Sequence, residues 1–300
     1  MRIAALLLAA LALPVYAQRY VRESIGTAKK APIDGPSLYN MPVAQWVGEK
    51  LVFMPKARML QEFGYKLVEP EQPYEVVGTV VTISTVTQTP DGYTLELATE
   101  DGRRLTSRLL NVLLDDISVS EFAPVRDIEW ARQRWLGKQV WLRPSPYRVE
   151  LMIYDAAIDE LDSIEVKNLS AVTVTDVVAS DEEHAPVRLV MRTKSAEEGY
   201  VDVTIYEAPR DAILSSLRHH SRAFFEDDPR LKYKWPVKIW NAIEQQKVFA
   251  GMTKEQVRLS WGHPSDIKKT ISSGKTREQW VFGRLGYVYF TDGIVTLIQN

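Results

Sequence analysis

The chain has 300 residues, 45 % of them hydrophobic, a formal net charge of −2 and no cysteine. Without Cys there is no disulfide, no thiol nucleophile, no thiolate metal site and no acceptor for a lipid anchor. The near-neutral charge excludes the basic face that phosphate backbones demand, while the apolar content suffices for two or three separate cores.

Residues 1–17 read as a cleavable secretory signal. Arg2 is the only charge before Arg19, an apolar run covers residues 3–13, and Val15-Tyr16-Ala17 supplies the cleavage site. Pro14 interrupts the run well short of the roughly 20 apolar residues that a spanning helix needs. The expected mature protein begins at Gln18 and is periplasmic or secreted. Residues 18–42, with Lys29-Lys30, Pro32, Gly35-Pro36 and Pro42, are expected to form an extended tether.

From residue 43 the pattern is that of strands. Residues 50–54 are short and apolar. Residues 74–86 are dense in Val, Thr and Ile, which suit a pleated surface. Pro90-Asp91-Gly92 marks a turn, Tyr93, Leu95 and Leu97 alternate with Thr94, Glu96 and Ala98, and Asp101-Gly102 turns the chain again. A helix follows, carrying Val125, Ile128, Trp130, Ala131 and Trp135 at three- and four-residue spacing. Residues 43–134 thus predict a small antiparallel barrel or curled sheet. Residues 135–228 predict a second one that repeats the first. Trp46-Val47-Gly48 aligns with Trp135-Leu136-Gly137, residues 74–85 with 168–179, and residues 92–106 with 188–202, which gives a period of about ninety residues. Residues 209–225, with Ile213, Leu217 and Phe224 near one stripe, predict the closing helix.

The C-terminal domain is expected over residues 229–300. Ile239, Trp240 and Ile243 form the stripe of one helix. The next begins at a capping box, with Thr253 at the N-cap, Gln256 three residues on, and Met252 and Val257 as the hydrophobic staple. Gly262 and Pro264 stop it. Three strands are expected after it: residues 265–271, then 277–282 continuing through Tyr287–Phe290, then 294–298 beyond an Asp292-Gly293 hairpin turn. The helices must cover one face of that sheet. The fold class read from sequence is therefore α+β, mostly β: two SH3-like small β-barrel or curled-sheet domains in tandem, then an ααβββ domain.

Residues 247–257 (KVFAGMTKEQV), Trp261-Gly262-His263-Pro264, Glu278-Gln279-Trp280-Val281-Phe282 and residues 286–295 (GYVYFTDGIV) resemble the SmpA/OmlA, or BamE-like, family in order and spacing. The resemblance covers residues 234–300. It implies an envelope protein-binding module, an accessory part of the machinery that inserts outer-membrane β-barrels. This sequence lacks the family's lipid-acceptor Cys and carries two further domains ahead of the module.

No residue pattern reads as an active site. His219-His220, adjacent on a predicted helix, would diverge by about 100° and share no metal. His184 and His263 read as surface residues. The acidic runs 155–165 and 226–228 do not match a calcium loop, and no P-loop, G-x-S-x-G, H-E-x-x-H or dinucleotide fingerprint occurs. The sequence therefore predicts a protein without cofactor or metal that binds an envelope protein, acting as a scaffold or an outer-membrane assembly or maintenance factor. The aromatic junction Phe224, Phe225, Tyr233 and Trp235 is the candidate contact surface. The alternative is peptidoglycan binding, with Trp46, Trp135 and Trp141 stacking on sugar rings.

Overall fold

The computed structural model describes residues 37–54, 68–69, 78–90, 92–110, 122–144, 149–155, 160–182, 185–206, 219–272 and 274–299. The expected signal, the tether up to Pro36, Asp91, His184, and the Ile213 and Leu217 of the expected closing helix lie outside them. The described chain is mostly β, in three antiparallel sheets. No helix among the described residues is long and apolar enough to cross a membrane.

The first sheet contains β1 (Lys50–Phe53), β2 (Val68–Glu69), β3 (Val80–Thr89), β4 (Gly92–Thr99), β5 (Arg104–Leu110) and β6 (Phe122–Pro124), in the order β2-β5-β4-β3-β1-β6. Helix α1 (Val125–Trp135) leads into the second sheet. Its strands are β7 (Gln139–Leu142), β8 (Val149–Asp155), β9 (Glu160–Val166), β10 (Ala171–Ala179), β11 (Val187–Arg192), β12 (Glu198–Val203) and β13 (Phe224–Phe225), in the order β13-β7-β10-β11-β12-β8-β9. From the closing strand outward the two orders run alike, and among the described residues β9, at the far edge, has no counterpart in the first sheet.

The likeness reaches individual hydrogen bonds. The Gly48 N–H donates to Ile83 O at 2.8 Å, and the Gly137 N–H to Val174 O at 2.9 Å. Both glycines have positive φ, +87° and +75°, and the partner strand bulges just beyond Ile83 and beyond Val174. Ile83 therefore sits where Val174 does. The sequence alignment set Ile83 opposite Val177, three residues off; the bulge between Val174 and Asp176 absorbs the odd residue, so both valines still face the same core. The hairpin turns also match, Thr99 N–H to Arg103 O at 3.0 Å and Thr193 N–H to Glu197 O at 2.9 Å, two residues from the alignment read off the sequence. Local similarity could not fix these registers because bulges and unequal connections shift them.

The expected closing helix is, in its described part, a short helix α2 (His220–Ala223) followed by β13. Two neighbouring aromatics on a strand point to opposite faces, and this decides the packing below. Helices α3 (Pro229–Lys232), α4 (Val237–Glu244) and α5 (Lys254–Trp261) open the C-terminal module. The capping box is present, with Thr253 Oγ1 accepting from the Gln256 N–H and Gln256 Oε1 accepting from the Thr253 N–H at 2.9 Å. The sheet has four strands rather than three: β14 (Asp266–Ser272), β15 (Lys275–Val281), β16 (Tyr287–Thr291) and β17 (Ile294–Gln299). The 3-10 turn Gly283–Leu285, with Gly283 and Gly286 at φ +57° and +97°, reverses the chain, so β16 pairs antiparallel with β15 instead of extending it. Asp292 and Gly293, both at positive φ, make the last hairpin. Trp280 is fully buried between this sheet and α5, packed with Val257, Val288 and Phe290.

The three cores are joined by strands that are buried on both faces. Leu51 and Phe53 of β1 and Phe122 of β6 enter the first core. Their neighbours Val52 and Ala123 enter the second core, beside Ile128, Ala131 and Trp135 of α1. At the next junction Phe224 enters the second core and Phe225 packs on the third. At the other end, the fully buried Asp127 holds the start of the described chain: its carboxylate accepts from the Ser37 hydroxyl and from the Leu38 N–H at 3.2 Å.

Candidate functional site

The four aromatics expected to form a contact surface divide between two environments. Phe224 is 2 % exposed and packs edge-on against Trp135 at 5.2 Å, so it is core and out of a partner's reach. Strand alternation turns Phe225 the other way, where the Arg143 guanidinium lies 3.6 Å above its ring. Tyr233 and Trp235 stack at 4.5 Å, and Trp235 continues to Trp240 at 5.1 Å. Both rings are half-buried against the third core. The Tyr233 hydroxyl donates to Glu255, and Lys232 lies over its ring. Phe225, Tyr233 and Trp235 thus seal the seam between the second sheet and the C-terminal module.

A plug completes the seam. The turn before β10 carries Asn168 and Leu169. Leu169 holds a positive φ of +57° and is buried in the third core. The Asn168 amide donates to Ile243 O at 3.2 Å and Ser260 O at 3.0 Å, and its carbonyl accepts from Gln246 Nε2 at 3.3 Å. Ile243 and Ser260 lie at the C-terminal ends of α4 and α5, where carbonyls fall beyond the regular helix ladder; Ile243 O also accepts from the Gln246 N–H at 3.1 Å.

A cleft of about 620 Å³ opens in the same module, a size ordinary for ligand sites. It runs along the C-terminal half of α4 and the segment after it, closed by Trp261, Leu285 and Ile298. Val248 and Phe249 add to its apolar floor, while Lys238, Lys247 and Arg284 stand around it. No acidic side chain lines it. No single stretch of sequence marks this cleft. Its traces were there, in the Lys247-Val248-Phe249 part of the family motif and in an arginine inside the Gly283–Gly286 break, but only the folded chain brings them together.

The histidines depart from expectation in geometry. His219 is the N-cap of α2 rather than part of it, so the His219 and His220 rings lie 4.4 Å apart, tilted by 39°, instead of diverging. Burial, and then the neighbouring His219, lower the His220 pKa to about 4, so the ring is neutral at pH 7. It fills a niche beside Trp135, whose indole N–H donates to Glu226 at 3.2 Å. Asp228 caps α3 through the Arg230 N–H. Among the described residues, no group of three or more His, Cys, Asp or Glu is placed to hold a metal ion.

Trp46 and Trp135, considered for sugar stacking, are 0 % and 1 % exposed. Their rings head the first two cores, and no sugar can reach them. Trp141 is half-buried on β7 opposite Phe225.

Comparison with protein-family models, with curated proteins and with solved structures finds no match to this chain.

Proposed function

We propose that the protein is an exported, non-catalytic envelope component that works by binding another protein, as a scaffold or as an assembly or maintenance factor for the outer membrane. The distribution of exposed apolar side chains carries this reading. Nine large hydrophobic residues are exposed among those described, and seven of them, from Leu231 to Leu297, belong to the C-terminal module. The outer face of its sheet presents Tyr287 and Leu297, and β14 is exposed along its whole length with Ile271 at 70 %. Apolar surface gathered on one module marks a protein contact, and among the described residues ahead of that module only Val47 and Leu136 are exposed large hydrophobics.

The motif resemblance to the SmpA/OmlA family points to the same module. The order of the first two sheets supports the SH3-like reading: a closing strand, the first strand, then a three-strand meander, with the β8–β9 hairpin folded along the far edge. It also supports reading them as copies of one unit. Peptidoglycan binding loses its simplest form, because two of the three tryptophans proposed for it are core residues.

A photo-crosslinking residue placed at Leu297 or at Ile271 in intact cells tests the proposal. One discrete envelope protein, identified by mass spectrometry and absent when the same residue is placed at exposed Val47, is expected. Crosslinks to glycan alone, or equal capture from Val47, would overturn it.

A further inference from the structure

The cleft of the C-terminal module has a composition that restricts what can occupy it. Lys238, Lys247 and Arg284 line it, and none of them forms an ion pair with a described residue. The nearest acid along α4, Glu244, is engaged by Arg230. Lys238 is instead held over the Phe249 ring at 4.9 Å. Three cations around an apolar floor favour an anionic ligand with apolar groups of its own, because each part of such a ligand meets its complement.

The amides narrow the choice further. Asn241 and Gln245 line the same cleft, and their side chains have no hydrogen-bond partner among the described residues. A carboxamide offers a donor and an acceptor together, the pair that a peptide bond requires. An acyl chain satisfies neither. Ile298, at the cleft's end, belongs to β17, the outermost strand of its sheet.

We propose that this cleft seats an acidic, apolar peptide segment of the partner protein, its carboxylates on Lys238, Lys247 and Arg284 and its apolar side chains on the Phe249–Leu285 floor. The proposal rests on the protein-binding reading above and names the chemistry of the partner.

The test uses the chain from Gln18 to its end and a short, end-blocked, fluorescein-labelled peptide of alternating Glu and Leu. Fluorescence anisotropy should show saturable binding that weakens roughly tenfold or more in the triple variant K238E/K247E/R284E and weakens with added salt. A peptide with Lys in place of Glu should prefer the triple variant. If charge reversal disturbs the thermal transition, the neutral variant K238Q/K247Q/R284Q takes its place, with a several-fold loss expected. Equal affinity of wild type and either folded variant for the Glu peptide would overturn the proposal. So would displacement of that peptide by phosphatidylglycerol vesicles with the same dependence on the three cations, which would make the site one for lipid headgroups. A positive crosslink at Leu297 combined with a failed peptide titration would remove the cleft assignment and leave the protein-binding reading standing.

Discussion

The first and second sheets share a strand order but differ at one corner. Phe53 N–H donates to Thr79 O at 3.0 Å, and Leu142 N–H to Ser170 O at 3.0 Å, so the residues just before, Gly78 and Leu169, hold equivalent positions. Both are left-handed, at φ +74° and +57°. Glycine takes that conformation freely, whereas a side chain costs about 1–2 kcal/mol there. The second sheet tolerates leucine because its side chain is buried in the core of the next module. The closing strands follow the same logic. Each places one residue inward, Phe122 or Phe224, and hands the next, Ala123 or Phe225, to the unit that follows. The lesson is that these units are finished by their neighbours, and that each departure from the shared pattern marks a docking point.

The largest effect should come from the paired tryptophans. Trp46→Ala and Trp135→Ala should each cost about 3–5 kcal/mol. The Trp135 cluster includes residues of both sheets, and the Trp46 cluster is confined to the first sheet and the residues leading into it. Hydrogen exchange should therefore show Trp135→Ala loosening both sheets together, and Trp46→Ala loosening the first alone. The same loss pattern for both variants would break the comparison.

Buried carboxylates separate the sheets next. Asp202 in the second faces the Arg188 guanidinium at 2.8 Å, while Asp127 beside the first is bonded only by the uncharged Ser37 hydroxyl and Leu38 N–H. Burial raises the Asp127 pKa from 3.8 to about 6 against those hydrogen bonds. Because the folded state disfavours the charged form, stability is fully kept below pH 3.8 and falls as pH climbs through about 6, by about 3 kcal/mol in all. Asp127→Asn, which keeps an acceptor for Leu38, should remove that fall in urea titrations between pH 4 and 8. An unchanged pH slope in the variant would show that Asp127 is not its source.

The smallest effect concerns the corner itself. Leu169→Ala should cost about 2 kcal/mol through the space it empties. Leu169→Gly should cost about 1 kcal/mol less than Leu169→Ala, since it relieves the left-handed strain that Ala retains. The opposite ranking in thermal unfolding would mean that backbone strain does not distinguish the two corners.

What the sequence made legible was local. The capping box at Thr253 and Gln256, the helix from Val125 to Trp135 and the Asp292-Gly293 hairpin all stand where short-range rules put them. The register of β10 was not legible, because it depends on a bulge and on a bond from Gly137 far along the chain. The reversal at Gly283–Leu285 was missed because an alternating apolar pattern reads the same through a tight turn as along one strand. Phe224 and Phe225 were read together as one surface, and a two-residue strand separates them to opposite sides. The cleft was invisible for the same reason: its cations come from α4, from the residue run after it and from the turn before β16.

Asn168 carries a consequence for how load travels. One carboxamide grips the trailing ends of both α4 and α5, and the neighbouring residues Ala242, Gln246 and Trp261 are walls of the cleft. A tug on whatever lies in that cleft has, beside the aromatic seam, a polar route into the second sheet through this side chain and the Leu169 plug, as torque on a key passes through its shank.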